Sequence, residues 1–189
     1  GTGSVYFGVE HLNMRSRSSN NFSIDDLKKI AEIANENNVK TYLTLNVEVF
    51  DTEMVLMHEV LDAAKEAGVS AVIAADISVI QYARSINFEV HISTQVNITN
   101  IEAVKFYANF ADVVVLAREM NLGRVGEISK QIEEEQINGP GGQLVRLEMF
   151  AHGALFMAIS GKCYLSLNEM NSSANRGSCL QTCRRAYTV

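Results

Sequence analysis

The sequence predicts an α/β protein, a (β/α)8 TIM-like barrel that is incomplete in this chain, with about six βα units. Three observations predict it. Apolar, β-rich runs alternate six times with amphipathic helical patterns, roughly 20 to 25 residues apart, as parallel strands with helical crossovers require. The strand runs are mostly apolar on both faces, the pattern of a sheet covered by helices. No Gly-x-Gly-x-x-Gly follows the first strand, which weakens the open doubly wound alternative, and the even unit length favours a barrel.

The elements follow in order. Val5-Tyr6-Phe7-Gly8 is a short strand ending at a glycine. Ser23 caps a helix with Asp25 and Asp26 in its first turn, where the helix dipole favours acids. Leu27, Ile30, Ala31 and Ala34 keep the spacing of a buried helical face. "VKTYLTLNVEVF" is the second strand, and Met54, Met57, Leu61 and Ala64 stripe a helix that stops at Gly68. "SAVIAAD" is the third strand, with a helix through Ile80 to Ser85. "FEVHIST" is the fourth, with a helix capped by Thr99 or Asn100. "ADVVVLA" is the fifth, with a helix from about Leu122 to Gln136, and "QLVRLEMF" after the turn "NGPGG" is the sixth. The first residues read as a strand already under way, so the natural N-terminus is expected to lie before Gly1, and six units point to a cut chain. Residues 1–155 form the partial barrel, and 156–189 form a cysteine-containing tail expected to pack on its C-terminal face.

The composition narrows the function classes. No apolar run approaches the length of a membrane span, and no signal-peptide pattern opens the chain, so a cytoplasmic protein is expected. The net charge of −6 gives no general affinity for nucleic acid, although "CRRAY" is a local basic cluster. Three cysteines without a secretion signal argue against a disulfide framework and for a metal site or a reactive thiol.

The strand ends carry an unusual polar load. Asn13 and Arg15 follow the first strand, Asn46 ends the second, and Gln95 with Asn97 follows the fourth. Arg118-Glu119 ends the fifth, and Glu148 lies on the sixth just before His152. In a barrel these ends converge on one face, where barrel active sites lie. Polar loops are ordinary residue by residue, but the set together predicts one shared cavity. Arg118 is expected to bind a carboxylate or phosphate through its planar fork. Glu148 is expected to be its ion-pair partner or a general acid–base. Other motifs are weaker. His58-Glu59 begins like a zinc-protease helix, but position 62 is aspartate. No Gly-x-Ser-x-Gly elbow or Walker loop occurs. His11 and His91 read as a loop and a strand residue with satisfied hydrogen bonds, and His152 is better placed for a direct role.

All three cysteines fall in "GKCYLSLNEMNSSANRGSCLQTCRRAYTV". The segment "EMFAHGALFMAISGKCYLS" resembles the signature of peptidase family U32. Glu148, Phe150, Gly153, Ala154, Leu155, Gly161, Cys163, Leu165 and Ser166 match it, and Phe156 stands where the signature has its first cysteine. "SANRGSCLQTCRRAY" is similar to the family's Asn-Arg-Gly-x-Cys segment, and the likeness reaches back over "VYFGVEHLNMRSRSSNNFS", "YLTLNV", "HISTQVNITN" and "VVLARE".

The resemblance implies a barrel whose first strand and helix precede "VYFG", and a family named for collagen degradation without an accepted peptidase mechanism. It implies relatives that support hydroxylation of the tRNA wobble uridine, with prephenate as a required metabolite, of a ribosomal RNA cytidine, and of ubiquinone precursors. It also implies a [4Fe–4S] cluster, for which Cys163, Cys179 and Cys183 would be ligands, with the fourth not identified here. Expected partners are therefore tRNA or rRNA and a small metabolite, with no membrane, and Arg176, Arg184 and Arg185 would line the entrance. The rivals are a collagenase-like peptidase and a non-catalytic scaffold that carries a cluster. A loop of reduced thiols and a zinc site are the other readings of the cysteines.

Overall fold

The computed structural model describes residues 2–9, 12–17, 21–153 and 156–186. Strands β1 (Ser4–Gly8), β2 (Lys40–Leu45), β3 (Ala71–Ala74), β4 (Val90–Ile92), β5 (Val113–Val115) and β6 (Arg146–Glu148) make one sheet. Every neighbouring pair is parallel, and the spatial order equals the chain order. A doubly wound sheet reverses its order at a switch point, whereas an unreversed run of parallel strands is the wall of a barrel. Six strands make part of that wall, so the expected incomplete TIM-like barrel is observed. No helix is long and apolar enough to cross a membrane among the described residues.

Five helices cross between the strands: α1 (Leu27–Glu36), α2 (Met54–Glu66), α3 (Ile77–Ser85), α4 (Ile101–Ala108) and α5 (Leu122–Glu134). Their starts follow local chemistry. Asp26 accepts hydrogen bonds from the backbone N–H and hydroxyl of Ser23, at 2.9 and 2.8 Å, in the 3-10 turn that leads into α1. Asp76, Asn100 and Asn121 each cap a helix by accepting from a backbone N–H in its first turn. The choice between Thr99 and Asn100 is thereby settled for Asn100.

Three strands are shorter than their apolar runs because their backbone groups find other partners. After Leu45 the N–H of Val49 donates to Asp76 Oδ2 at 3.1 Å, and that of Glu48 to the carbonyl of Asn175 at 3.2 Å. After Ile92 the chain turns through a 3-10 segment, Thr94–Val96, that ends with Asn97 in the left-handed region. Before Arg146, Gly139 and Val145 pair with Gln143 and Ile137 in a tight turn, which delays the strand.

The two faces of the sheet differ. Leu43, Leu45, Val72, Ala74, Val90, Ile92, Val114 and Leu116 pack under the helices against Leu27, Met57, Leu61, Val79 and Ile128. Truncating one of the buried leucines, Ile92 or Met57 among these to alanine costs about 2–5 kcal/mol. On the barrel-interior face Thr44, Ile73, His91, Val113 and Arg146 stand in one register row.

His91 is 2% exposed there, and its Nε2 lies 3.2 Å from Glu89 Oε1, which also accepts from Arg146 at 2.7 Å. Its Nδ1 has no partner among the described residues, so its predicted hydrogen bonding is only half met. The Tyr42 ring lies 4.5 Å away. Burial lowers the imidazole pKa; Glu89 opposes this, while Arg146 and Lys40 reinforce it. The sign follows. The unfolded chain takes up the proton first, so stability is intact well above pH 6.5 and falls as pH drops through that value. The thermal midpoint is expected to decline between about pH 7.5 and 5.5, and His91→Gln to flatten that decline, as calorimetry across that range would show.

Candidate functional site

The C-terminal ends of the strands hold the tail down. Ser93, at the end of β4, caps the turn that carries Gln95, and Gln95 Oε1 accepts from the Gly161 N–H at 2.8 Å. Gly161 is in the left-handed region at φ +74°, and a Cβ there would lie 1.9 Å from the Gln95 carbonyl oxygen. Only glycine fits. After β5, Arg118 donates through Nε and Nη2 to Ser160 Oγ at 3.2 and 2.7 Å, and Ser160 is 2% exposed. The guanidinium carbon sits 3.2 Å from the Phe156 ring centroid and 5.5 Å from that of Phe150. Burial lowers the Arg118 pKa; Glu119 opposes that, and Arg15 and Arg184 reinforce it. Glu119, Arg15 and Arg184 thus each lie within electrostatic reach of Arg118.

The first two strand ends contribute similarly. Asn13, 3% exposed, donates to the Val9 carbonyl and to Asn21, and accepts from the Arg15 N–H. A Cβ on Gly8 would meet the Asn13 side chain at 2.5 Å, which explains the glycine that ends β1. Asn13 thus shapes its own loop. Asn46 accepts from the Met14 N–H at 3.2 Å, and Ser16 Oγ donates to the Gly177 carbonyl at 2.6 Å. Arg176 forms a two-bonded pair with Glu53 at 2.7 and 2.8 Å, and its guanidinium carbon lies 3.7 Å from the Phe50 ring centroid. The arginine expected to line an RNA entrance is therefore committed to the β2–α2 loop.

This pair gives a measurable coupling. The bond from Arg176 holds the Glu53 carboxyl below the usual range, so its stabilisation is present above about pH 4.5 and is lost as pH falls through the lowered value. A double-mutant cycle with Glu53→Gln and Arg176→Met is expected to show about 1 kcal/mol of coupling at neutral pH, vanishing in acid.

Beneath the tail lies a cavity of about 460 Å³, lined by Met14, Gln95, Phe156, Met157, Ile159 and all three cysteines among others. Helix α6 (Leu165–Met170) and the 3-10 turns Ala174–Arg176 and Thr182–Arg184 carry the tail around it. Cys163, Cys179 and Cys183 are half-buried and free. Among the described residues no three of His, Cys, Asp and Glu are gathered closely enough to hold a metal ion. A four-thiolate cluster needs one more cysteine than the cavity offers, and Phe156 fills the matching place in the signature. As they stand, the described residues do not fit that cluster. Iron and sulfide analysis of the anaerobically purified full-length protein, with Cys179→Ser alongside, tests the cluster: full activity with no iron in either would leave the three cysteines as structural thiols. Iron held by the wild type alone would mean that a fourth ligand completes the set.

Other expected site residues lie apart. Glu148 is exposed by area, yet neighbouring atoms desolvate its carboxyl and raise its pKa. It makes no ion pair with Arg118 among the described residues, because Arg118 points to Ser160 and the aromatic rings instead. Glu119 and His152 are exposed and do not line the cavity. Asn97 sits half-buried in its left-handed turn, with Oδ1 unpartnered among the described residues. His58 stacks on Tyr82, whose hydroxyl donates to Asp62, so the zinc-like motif is ordinary helix surface. His11 lies outside the described residues. Sequence reasoning missed Ser160, Glu53 and Ser16. Glu53 carried a signal only as a first-turn acid, and the other two carried none.

The family model for peptidase family U32 matches residues 1–189. The chain belongs to that family. Over all 189 residues it is 59% identical to a protein of Porphyromonas gingivalis named "Collagenase", covering 46% of it. It is 33% identical to the "tRNA hydroxylation protein P1" of Bacillus subtilis, covering 43% of that protein. It is 32% identical to the "23S rRNA 5-hydroxycytidine C2501 synthase" of Escherichia coli, covering 27% of it. The chain thus spans less than half the length of these relatives. Among solved structures, "The Structure of the U32 Peptidase Mk0906" matches with a TM-score of 0.56 at 15% identity, over 78% of this chain and 59% of that one. That likeness concerns the fold.

Proposed function

We propose that this chain is part of an RNA-hydroxylation protein, acting on a base of tRNA or ribosomal RNA at the strand C-terminal face. The observation that carries this is the apolar, thiol-lined cavity under the tail, whose Phe156 wall is flanked by the guanidinium groups of Arg118 and Arg184, in a chain of net charge −6. A local cluster of arginines on an acidic protein suits a phosphate backbone, and an apolar recess suits an unstacked base. Two of the relatives named above carry RNA hydroxylation in their names, which supports the same substrate class. A small metabolite such as prephenate is proposed as a co-substrate of the full-length protein.

The identity of 59% to a protein named collagenase favours a second reading, proteolysis. The cavity lining works against it. Among the described residues it offers thiols with no histidine or carboxylate beside them to act as base, and these residues gather no metal-binding triad. A deletion strain separates the two. Nucleoside mass spectrometry of its tRNA and ribosomal RNA is expected to show loss of a hydroxylated uridine or cytidine, restored by the intact gene. Unchanged nucleosides, with collagen cleavage by the purified protein, would favour the peptidase.

A further inference from the structure

Phe156 is 38% exposed, an unusual place for a ring that also walls a cavity. The Arg118 guanidinium backs it at 3.2 Å, and the Arg184 guanidinium carbon lies 5.9 Å from the same centroid. Arg118 is itself held in place by the two bonds to buried Ser160 and flanked by Phe150. Aromatic ring and arginine plane therefore alternate at the mouth of the cavity. Met14, Met157 and Ile159 add apolar surface but little that could read a polar edge. Such a surface takes the face of a planar ring, and the neighbouring arginines take a negative charge tethered to it. A nucleotide of single-stranded RNA carries both.

We infer that Phe156, fixed by Arg118, is the platform on which an unpaired base of the RNA stacks, with Arg184 holding the adjoining phosphate. This rests on the RNA reading above and adds to it the residue that receives the base. Stacking against a ring is tolerant of base identity, so sequence choice is assigned to other contacts of the full-length protein.

The test uses the full-length protein and a fluorescein-labelled, pyrimidine-rich RNA of twelve nucleotides, read by anisotropy. Phe156→Leu keeps apolar bulk and removes the π-face, and is expected to weaken binding about 10-fold or more. Phe156→Tyr is expected to bind as wild type does. Arg184→Ala is expected to bind more weakly with a shallower salt dependence, by about one phosphate contact. The wild type supplies a measurement free of folding effects. A single 2-aminopurine moved along the strand is expected to be quenched on binding at one position. Wild-type affinity in a folded Phe156→Leu variant, or no quenching at any position, overturns the platform and leaves the RNA reading standing. Failure of the wild type to bind RNA at all overturns both.

Discussion

Replacing Gly161 by alanine is expected to release the tail from the barrel and abolish the cavity. Two costs add at this position. The backbone sits at φ +74°, where a side chain is strained, and the new Cβ would lie 1.9 Å from the Gln95 carbonyl oxygen, a backbone atom. Left-handed strain alone costs about 1–3 kcal/mol, and the overlap cannot be relieved by rotating a side chain. The chain at 161 must instead move away, which breaks the 2.8 Å bond from its N–H to Gln95 Oε1 and draws on the neighbouring Ser160–Arg118 contact. The sheet and its helices are built from other residues, so the barrel should persist while the tail frays. Limited proteolysis is expected to cut the variant within residues 156–186 at protease levels that spare the wild type. Equal resistance of the two proteins would refute the account.

The barrel was legible because its signals are local. Gly68, at φ +82°, stops α2 as its sequence position suggests, and Asp76 and Asn100 cap their helices through bonds spanning two or three residues. The strand cores are apolar on the helix-covered face, while the interior row also carries Thr44, His91 and Arg146, and the strand ends ran long. There the choice between ladder and loop depends on distant partners, as when Glu48 donates to Asn175. The site was legible as a set of residue types but not as a set of roles. Gln95, Arg118 and Arg176 were expected to face a ligand, yet each makes a bond between barrel and tail: Gln95 to Gly161 and Arg118 to Ser160 in the tail, and Arg176 of the tail to Glu53, 66, 42 and 123 residues away in sequence. A polar side chain at a strand end looks the same whether it awaits a substrate or satisfies the backbone of a covering segment. Glu53 shows the limit well: it reads as a first-turn acid, accepts from the Phe50 N–H as such an acid does, and also pairs with Arg176.

On the RNA reading proposed above, Arg118→Lys is expected to lower hydroxylation about 100-fold in a complemented deletion strain, although it conserves charge. The wild-type guanidinium does two things at once. It donates from two nitrogens to one hydroxyl, Ser160 Oγ, and it lies against the Phe156 ring. An ammonium is a point donor without a plane, so it can serve the hydroxyl or the ring but not both. It is also more strongly hydrated, which makes its half-buried position costlier. Loss of one charge-assisted hydrogen bond and part of a cation–π contact corresponds to about 1–3 kcal/mol of stability. Ser160→Ala separates position from charge: it leaves the arginine present but unanchored, and the same stability loss is expected with a smaller drop in hydroxylation. Thermal midpoints of both variants, set beside their modified-nucleoside levels, distinguish a positioning role from a purely structural one. If Arg118→Lys loses stability and keeps full hydroxylation, the arginine only fastens the tail. If it loses hydroxylation at a wild-type midpoint, the guanidinium itself meets the substrate.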